Sequence, residues 1–169
     1  MKFDGASLPD MENILELALE PYSDEFTIES SINLEEDFLD RKWGQYNAQK
    51  ILYELHELKQ RSGWDKVLGI TRKDIFVEGM NYVFGLASPS GGVCLVSLHR
   101  VIRLKQKLTQ LEKTRIVKEI THEIGHVYGL QHCTTRNCVM TFSNSLSDID
   151  AKSADLCEKC KRILIAKNY

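Results

Sequence analysis

The stretch His122-Glu123-Ile124-Gly125-His126-Val127-Tyr128-Gly129-Leu130-Gln131-His132 decides how this chain is read. An α-helix turns about 100° per residue, so His122 and His126 lie roughly 40° apart on one face and one turn apart along the axis. Their imidazoles can reach a single ion. Glu123 stands about 100° round from His122, poorly placed as a third ligand but well placed to face a water in an open coordination position. Gly129 ends the helix, because glycine accepts the left-handed conformation without steric cost. The chain then reverses, and His132 approaches the ion from another direction. Three protein ligands and one open position make a catalytic zinc site.

The opposite face of the same helix is apolar: Ile116, Val117, Ile120, Ile124, Val127 and Tyr128 fall in one arc, while Arg115 and Glu119 share the histidine side. One face packs into a core and the other looks into a cleft. A plain amphipathic core helix with incidental histidines does not account for five residues held in register.

Downstream, Cys133 follows the third histidine directly, then come Cys138, Met140, Cys157 and Cys160. The cysteines form a C-x4-C and a C-x-x-C pair. Two such pairs brought together make a closed tetrahedral thiolate site, which is structural rather than catalytic. Two disulfides or a redox pair are the alternatives. A redox C-x-x-C is expected after a strand, whereas this one opens a short helix over 156–167. Cys94 is left over, inside the apolar run from Val93 to Leu98, and reads as a small buried side chain.

The full string, H-E-x-x-H-x-x-G-x-x-H-C-x4-C-x-M-x16-C-x-x-C, resembles the archaemetzincins, within the metzincin clan of zinc peptidases. The resemblance is strongest over residues 112–160. The family pattern carries about one more residue before the last cysteine pair, a difference that falls in the Ser/Asp-rich loop from Ser143 to Ser153. The stretches Arg41 to Asn47 and Asn81 to Gly85 are also similar to the family. The resemblance implies a catalytic zinc on His122, His126 and His132, with Glu123 as general base. It implies a second, structural zinc on Cys133, Cys138, Cys157 and Cys160, and a Met-turn at Met140 packed under the imidazoles. It further implies that a strand antiparallel to its neighbours rims the cleft, with Tyr82 to Ala87 as the candidate.

The chain has 169 residues, enough for one compact domain with its own core. Residues 1–129 are expected to form an upper sheet-and-helix part that includes the active-site helix. Residues 130–169 are expected to form a small C-terminal part stapled by zinc. The formal net charge is −2 with both signs interspersed, which offers no electrostatic footprint for nucleic acid or a membrane surface. No apolar run reaches the roughly 18 residues of a membrane span, and the first residues carry no apolar signal region. The expectation is a cytoplasmic protein, favoured as a monomer, acting on a peptide or protein substrate.

Along the chain, 12–20 reads as a helix ended by Pro21, and 26–32 alternates like a strand. Residues 43–61 read as a long helix with Ala48, Ile51, Leu52, Leu55 and Leu58 on one face, stopped near Gly63. Strands are expected over 66–71, within 74–87 and over 93–98, with a turn at 88–92 and the metal-binding helix over 112–128. The expected fold is α/β: a mixed, mostly parallel twisted sheet with helices, the active-site helix flooring a cleft. The functional expectation is zinc-dependent peptide hydrolysis, aminopeptidase or endopeptidase. The alternatives are a zinc-stapled interaction protein with an occluded or inactive site, and a zinc hydrolase acting on other amides or esters.

Overall fold

The computed structural model describes residues 10–23, 25–29, 34–103 and 107–167. Helix α1 (Met11–Leu19) runs into a 3-10 turn at Glu20–Tyr22, where Pro21 cannot continue the α-helical ladder. A short hairpin, β1 (Leu39–Asp40) and β2 (Gln45–Asn47), turns at Gly44, whose φ is +67°. Helix α2 (Ala48–Ser62) follows, then β3 (Val67–Thr71), β4 (Ile75–Phe76), β5 (Gly85–Ser88) and β6 (Val93–Ser97). The long helix α3 (Gln110–Val127) and the shorter α4 (Leu146–Ala151) and α5 (Glu158–Lys167) complete the order.

The mixed α/β class expected from the sequence is the one observed. Its sheet is divided in two. One three-stranded sheet has the order β3-β6-β5, with β3 and β6 parallel and β5 antiparallel to β6. The other has the order β1-β2-β4, with one antiparallel and one parallel pairing. Strand β6 explains the unbroken apolar run of the sequence, for it is buried on both faces. Val93 and Leu95 point to α2, packing with Ala48, Ile51, Leu52 and Leu55. Cys94 and Val96 point the other way, into the main core built with α1 and the apolar face of α3. Ile116, Ile120 and Ile124 of α3 are buried there, as their spacing predicts.

Two elements differ from the sequence reading. The helix expected from residue 43 begins at Ala48, because the Asn47 side chain accepts from the backbone N–H groups of Gln49 and Lys50 and caps the first turn. Residues 45–47 are spent on β2 instead. Of the strand expected over 26–32, residues 25–29 have no regular structure, and 30–32 lie outside the described residues. The alternation supplies a face without a ladder: these residues pair with no strand among the described ones and line a cavity beside Trp64 and Val67.

Helix α3 has firm ends. At its start Thr109 and Glu112 form a reciprocal capping box: the Thr109 hydroxyl accepts from the Glu112 N–H, and the Glu112 carboxylate accepts from the Thr109 N–H at 2.8 Å. At its end Gly129 takes φ +79° and lets Leu130 N–H bond back to Gly125 O at 2.9 Å.

Candidate metal centres and cleft

The reversal at Gly129 brings the third histidine onto the other two. The candidate ligand nitrogens of His122, His126 and His132 all lie within 4.8 Å of one another. The Nε2 atoms of His122 and His126 are 3.1 Å apart. Each of these two imidazoles has its Nδ1 occupied by a backbone carbonyl at 2.8 Å, Val139 O for His122 and Leu130 O for His126. With Nδ1 donating, the tautomer is set and Nε2 presents its lone pair inward, the second contact that metal-ligating histidines characteristically make. Burial pushes His122 well below the ordinary imidazole value and lowers His126 and His132 as well. All three are therefore neutral near pH 7, the form that ligates. The donor set fits an open zinc site.

Glu123 is buried next to His122. A Cβ on Gly85 would stand 2.5 Å from its Oε1, so the carboxylate lies directly beneath the start of β5. Burial pushes its carboxyl well above the usual range, Glu119 adds to the rise and Lys152 opposes it. Met140 is fully buried, and its sulfur occupies the space that a side chain on Gly125 would need. The methionine thus sits against the helix at Gly125, between the first two histidines in sequence. Phe142 places its ring edge-on to His132, with centroids 5.1 Å apart.

The four cysteines also converge. Cys133 Sγ is 3.8 Å from Cys157 Sγ, and Cys138 Sγ is 3.7 Å from Cys160 Sγ. A disulfide needs about 2.05 Å. Tetrahedral thiolates each about 2.3 Å from zinc would be separated by about 3.8 Å, which is the spacing seen. Thr135 N–H points at Cys133 Sγ and Cys157 N–H at Cys138 Sγ, backbone donors that favour thiolate charge. Burial pushes the Cys157 thiol up, but hydrogen bonds from the Cys160 N–H and from the Cys138, Thr135 and Cys160 side chains bring it down to about 6. Cys94 is buried apart from the cluster, as expected.

The histidines open onto a cleft of about 330 Å³. Strand β5 forms its upper rim and, at the edge of its sheet, has one side without a strand neighbour among the described residues. Residues 142–144 form the facing wall, and the Tyr82 hydroxyl bridges the two sides by donating to Asn144 O at 2.7 Å. A cavity of about 390 Å³ lies on the apolar side of α3, lined by Ile124 and Val127 and by none of the histidines. The candidate ligands and Glu123 line the smaller space.

Three side chains that the sequence did not single out as site residues hold this arrangement. Tyr22 donates from its hydroxyl to Thr121 O at 2.6 Å and stacks on Tyr128, bracing α3 from behind. Glu119 forms a buried ion pair with Lys152 at 2.9 Å. The histidine-side placement of Glu119 was visible in the helical phase, but nothing local to Lys152 marks it. Gly85 lay within a stretch similar to the family and carried no other signal.

The model of peptidase family M54 matches residues 26–166. The archaemetzincin of Methanopyrus kandleri is 45% identical over 121 residues, 72% of this chain and 66% of that protein. The archaemetzincin of Archaeoglobus fulgidus is 46% identical over 116 residues, 69% of this chain and 66% of that protein. The chain thus matches just under two thirds of the length of these relatives in sequence. In structure, the crystal structure of the Methanopyrus kandleri archaemetzincin superposes with a TM-score of 0.87 at 34% identity, covering 99% of this chain and 92% of that one. The Archaeoglobus fulgidus archaemetzincin, complexed with malonate, gives a TM-score of 0.79 at 32% identity, covering 96% of each chain.

Proposed function

The chain belongs to peptidase family M54, the archaemetzincins, and from that premise we propose that it is a zinc-dependent peptidase with His122, His126 and His132 as ligands. The observation that carries the reading is the convergence of three neutral imidazoles around one point, with a buried carboxylate beside them and an open cleft in front. Zinc held there would polarise the scissile carbonyl and lower the pKa of water towards 7. Glu123, buried beside the ligands, would be the general base for a water activated there and the group that hands the proton on to the leaving amine. Its raised affinity for a proton is the direction this role needs. The free side of β5 offers backbone groups to an extended peptide, which strand addition would hold above the histidines. The cysteine cluster is read as a second, structural zinc site that ties residues 130–167 to the segment carrying His132, in place of the core that so short a part lacks. Among the described residues no helix is long and apolar enough to cross a membrane.

The test is metal content by elemental analysis, followed by a peptide-cleavage screen. Wild type is expected to hold two zincs and His126→Ala one. One zinc in both would leave only the cysteine site filled and overturn the reading. Glu123→Gln is expected to keep both zincs and lose at least ~100-fold in cleavage rate, the scale of general-base catalysis. A fully metallated, active Gln variant would remove Glu123 from the mechanism.

One observation favours the second reading, an interaction protein with an occluded site: the Tyr82 hydroxyl spans the cleft to Asn144. Tyr82→Phe separates the two. Under the peptidase reading it alters turnover, whereas under the second it leaves a metallated but inactive protein.

A further inference from the structure

One loop joins the cysteine cluster to the histidine cluster at two points. His132 and Cys133 are consecutive, so a candidate ligand of one site shares a peptide plane with a candidate ligand of the other. Cys138 stands next to Val139, whose carbonyl accepts from His122 Nδ1 at 2.8 Å. The Cys133 N–H donates to Met140 O at 2.9 Å and closes the loop upon itself. Two of the four thiols thus lie one residue from a candidate histidine ligand or from the carbonyl that orients one.

The three histidines are not equally secured. His122 and His126 lie on α3, and each has its Nδ1 met by a backbone carbonyl. The His132 ring makes no such hydrogen bond among the described residues and is only packed against Phe142 and the other two imidazoles. It lies beyond the end of α3, so its place is set by the backbone between Gly129 and Cys133. A displacement of Cys133 therefore reaches His132 directly, and a displacement of Cys138 reaches His122 through Val139.

Oxidation of the sulfurs would produce both displacements. The close pairs are Cys133 with Cys157, 3.8 Å apart, and Cys138 with Cys160, 3.7 Å apart. A disulfide needs about 2.05 Å, so each pair would close by roughly 1.7 Å, and both bridges would draw the 133–138 segment towards α5. Three of these thiols are buried, whereas Cys157 is half-buried and is the one a small oxidant meets first.

We propose that the four cysteines form a redox clamp on the histidine site, opened by hydroperoxides. The Cys157 thiolate attacks a peroxide oxygen, the O–O bond breaks, and a sulfenic acid and one water result once a solvent proton is taken up. The Cys133 thiolate then attacks the sulfenic sulfur, the S–S bond forms, and the hydroxyl leaves with a second proton as water. Two thiolates have lost two electrons, and one hydrogen peroxide has become two waters. A second equivalent joins Cys138 to Cys160. Without thiolates the cluster no longer holds zinc, and the drawn-in loop shifts His132 and Val139 and loosens metal at the histidines. The proposal rests on reading both clusters as zinc sites and not on the cleavage of any peptide.

The test treats the dithiol-reduced, zinc-loaded protein with hydrogen peroxide and follows zinc by competition against a chromogenic chelator. Mass mapping under non-reducing conditions is expected to find the Cys133–Cys157 and Cys138–Cys160 bridges. One zinc should be released, and the affinity for the other should fall about tenfold or more, the scale of disturbing contacts that orient ligands. Dithiothreitol and added zinc should restore both, and the helical circular-dichroism signal should persist throughout. Oxidised protein that keeps its second zinc with unchanged affinity overturns the clamp. So do other pairings, oxidation that dithiothreitol does not reverse, or a lost helical signal, which would make the metal loss a matter of unfolding. Cys94→Ser should respond as wild type does, and a variant that no longer responds would move the chemistry to Cys94 and overturn the clamp as well. Peptide cleavage is read alongside. A protein that cuts no peptide before oxidation yet shows the coupled zinc loss keeps the clamp and removes the peptidase reading.

Discussion

At Gly85 a single hydrogen atom decides whether Glu123 has room. The position a Cβ would take lies 2.5 Å from the carboxylate oxygen, so alanine there must displace the proposed base or the strand. Gly85→Ala is expected to keep both metals and lose on the order of 100-fold in kcat/KM, the scale of a catalytic group moved by about 1 Å. Metal analysis beside a cleavage assay reads both numbers, and an unchanged rate would mean that β5 shifts freely. Gly125 poses the same question from below. An added methyl would collide with Met140 Sδ and stand 2.9 Å from the Tyr22 hydroxyl. Alanine recovers about 1 kcal/mol of helix propensity, but overpacking costs about 1–3 kcal/mol, so Gly125→Ala should lower stability in urea unfolding. These two glycines show what a sequence can and cannot display. The candidate histidines were legible because His122, Glu123 and His126 fall on one helix and His132 just beyond the Gly129 reversal that ends it, where spacing is geometry. Gly85 meets Glu123 across 38 positions and Lys152 meets Glu119 across 33, and no local period encodes a contact that only the packed chain creates.

At the scale of elements, α3 is held at a set angle by polar ties to α4 on successive turns. Arg115 donates to both oxygens of Asp150, at 2.7 and 2.6 Å, Lys118 meets the carbonyls of Ile149 and Asp150, and Glu119 meets Lys152. The outermost tie is open to test by pH. Hydrogen bonds from Arg115 hold the Asp150 carboxyl below its ordinary value of 3.8, against the opposing effect of burial. A carboxylate depressed in the folded state contributes stability above its unfolded pKa and loses it as the pH falls through the folded value. Wild type should therefore melt above Asp150→Asn at pH 6, by an amount corresponding to at most ~1 kcal/mol for a pair this exposed. The two should converge below pH 3.8. Thermal midpoints across pH 3–7 check it, and a difference that persists at the acid end would assign the effect to packing. The helix ends carried their own punctuation in sequence at Gly63 and Gly129, whereas the Thr109–Glu112 box, a local signal too, went unread and the helix starts at Gln110 rather than 112. The short strands β1, β2 and β4 carried none, because two or three residues cannot show a period and their existence depends on partners far along the chain.

For the whole molecule, the decisive arrangement is that the two proposed metal sites share a peptide bond, His132 belonging to one and Cys133 to the other. Cys133 N–H also donates to Met140 O at 2.9 Å, which ties the cysteine segment to the floor beneath the histidines. Loss of the cysteine site should therefore not stay local. Cys138→Ser is expected to release that zinc and to weaken zinc at the histidines by roughly 10–100-fold, the effect of disturbing contacts that orient ligands. Competition against a chromogenic chelator measures both affinities. An unaltered histidine site would show that Gly129 and the helix alone position His132.

That shared bond also fixes a distance. Consecutive Cα atoms are about 3.8 Å apart, and an imidazole and a thiolate extend only a few ångströms before their metal bonds of about 2.0–2.3 Å. Two ions ligated by His132 and Cys133 can stand no farther apart than about 15 Å. Cobalt placed in one position would broaden and shift nuclear resonances around the other, so the chain carries its own paramagnetic ruler between its centres.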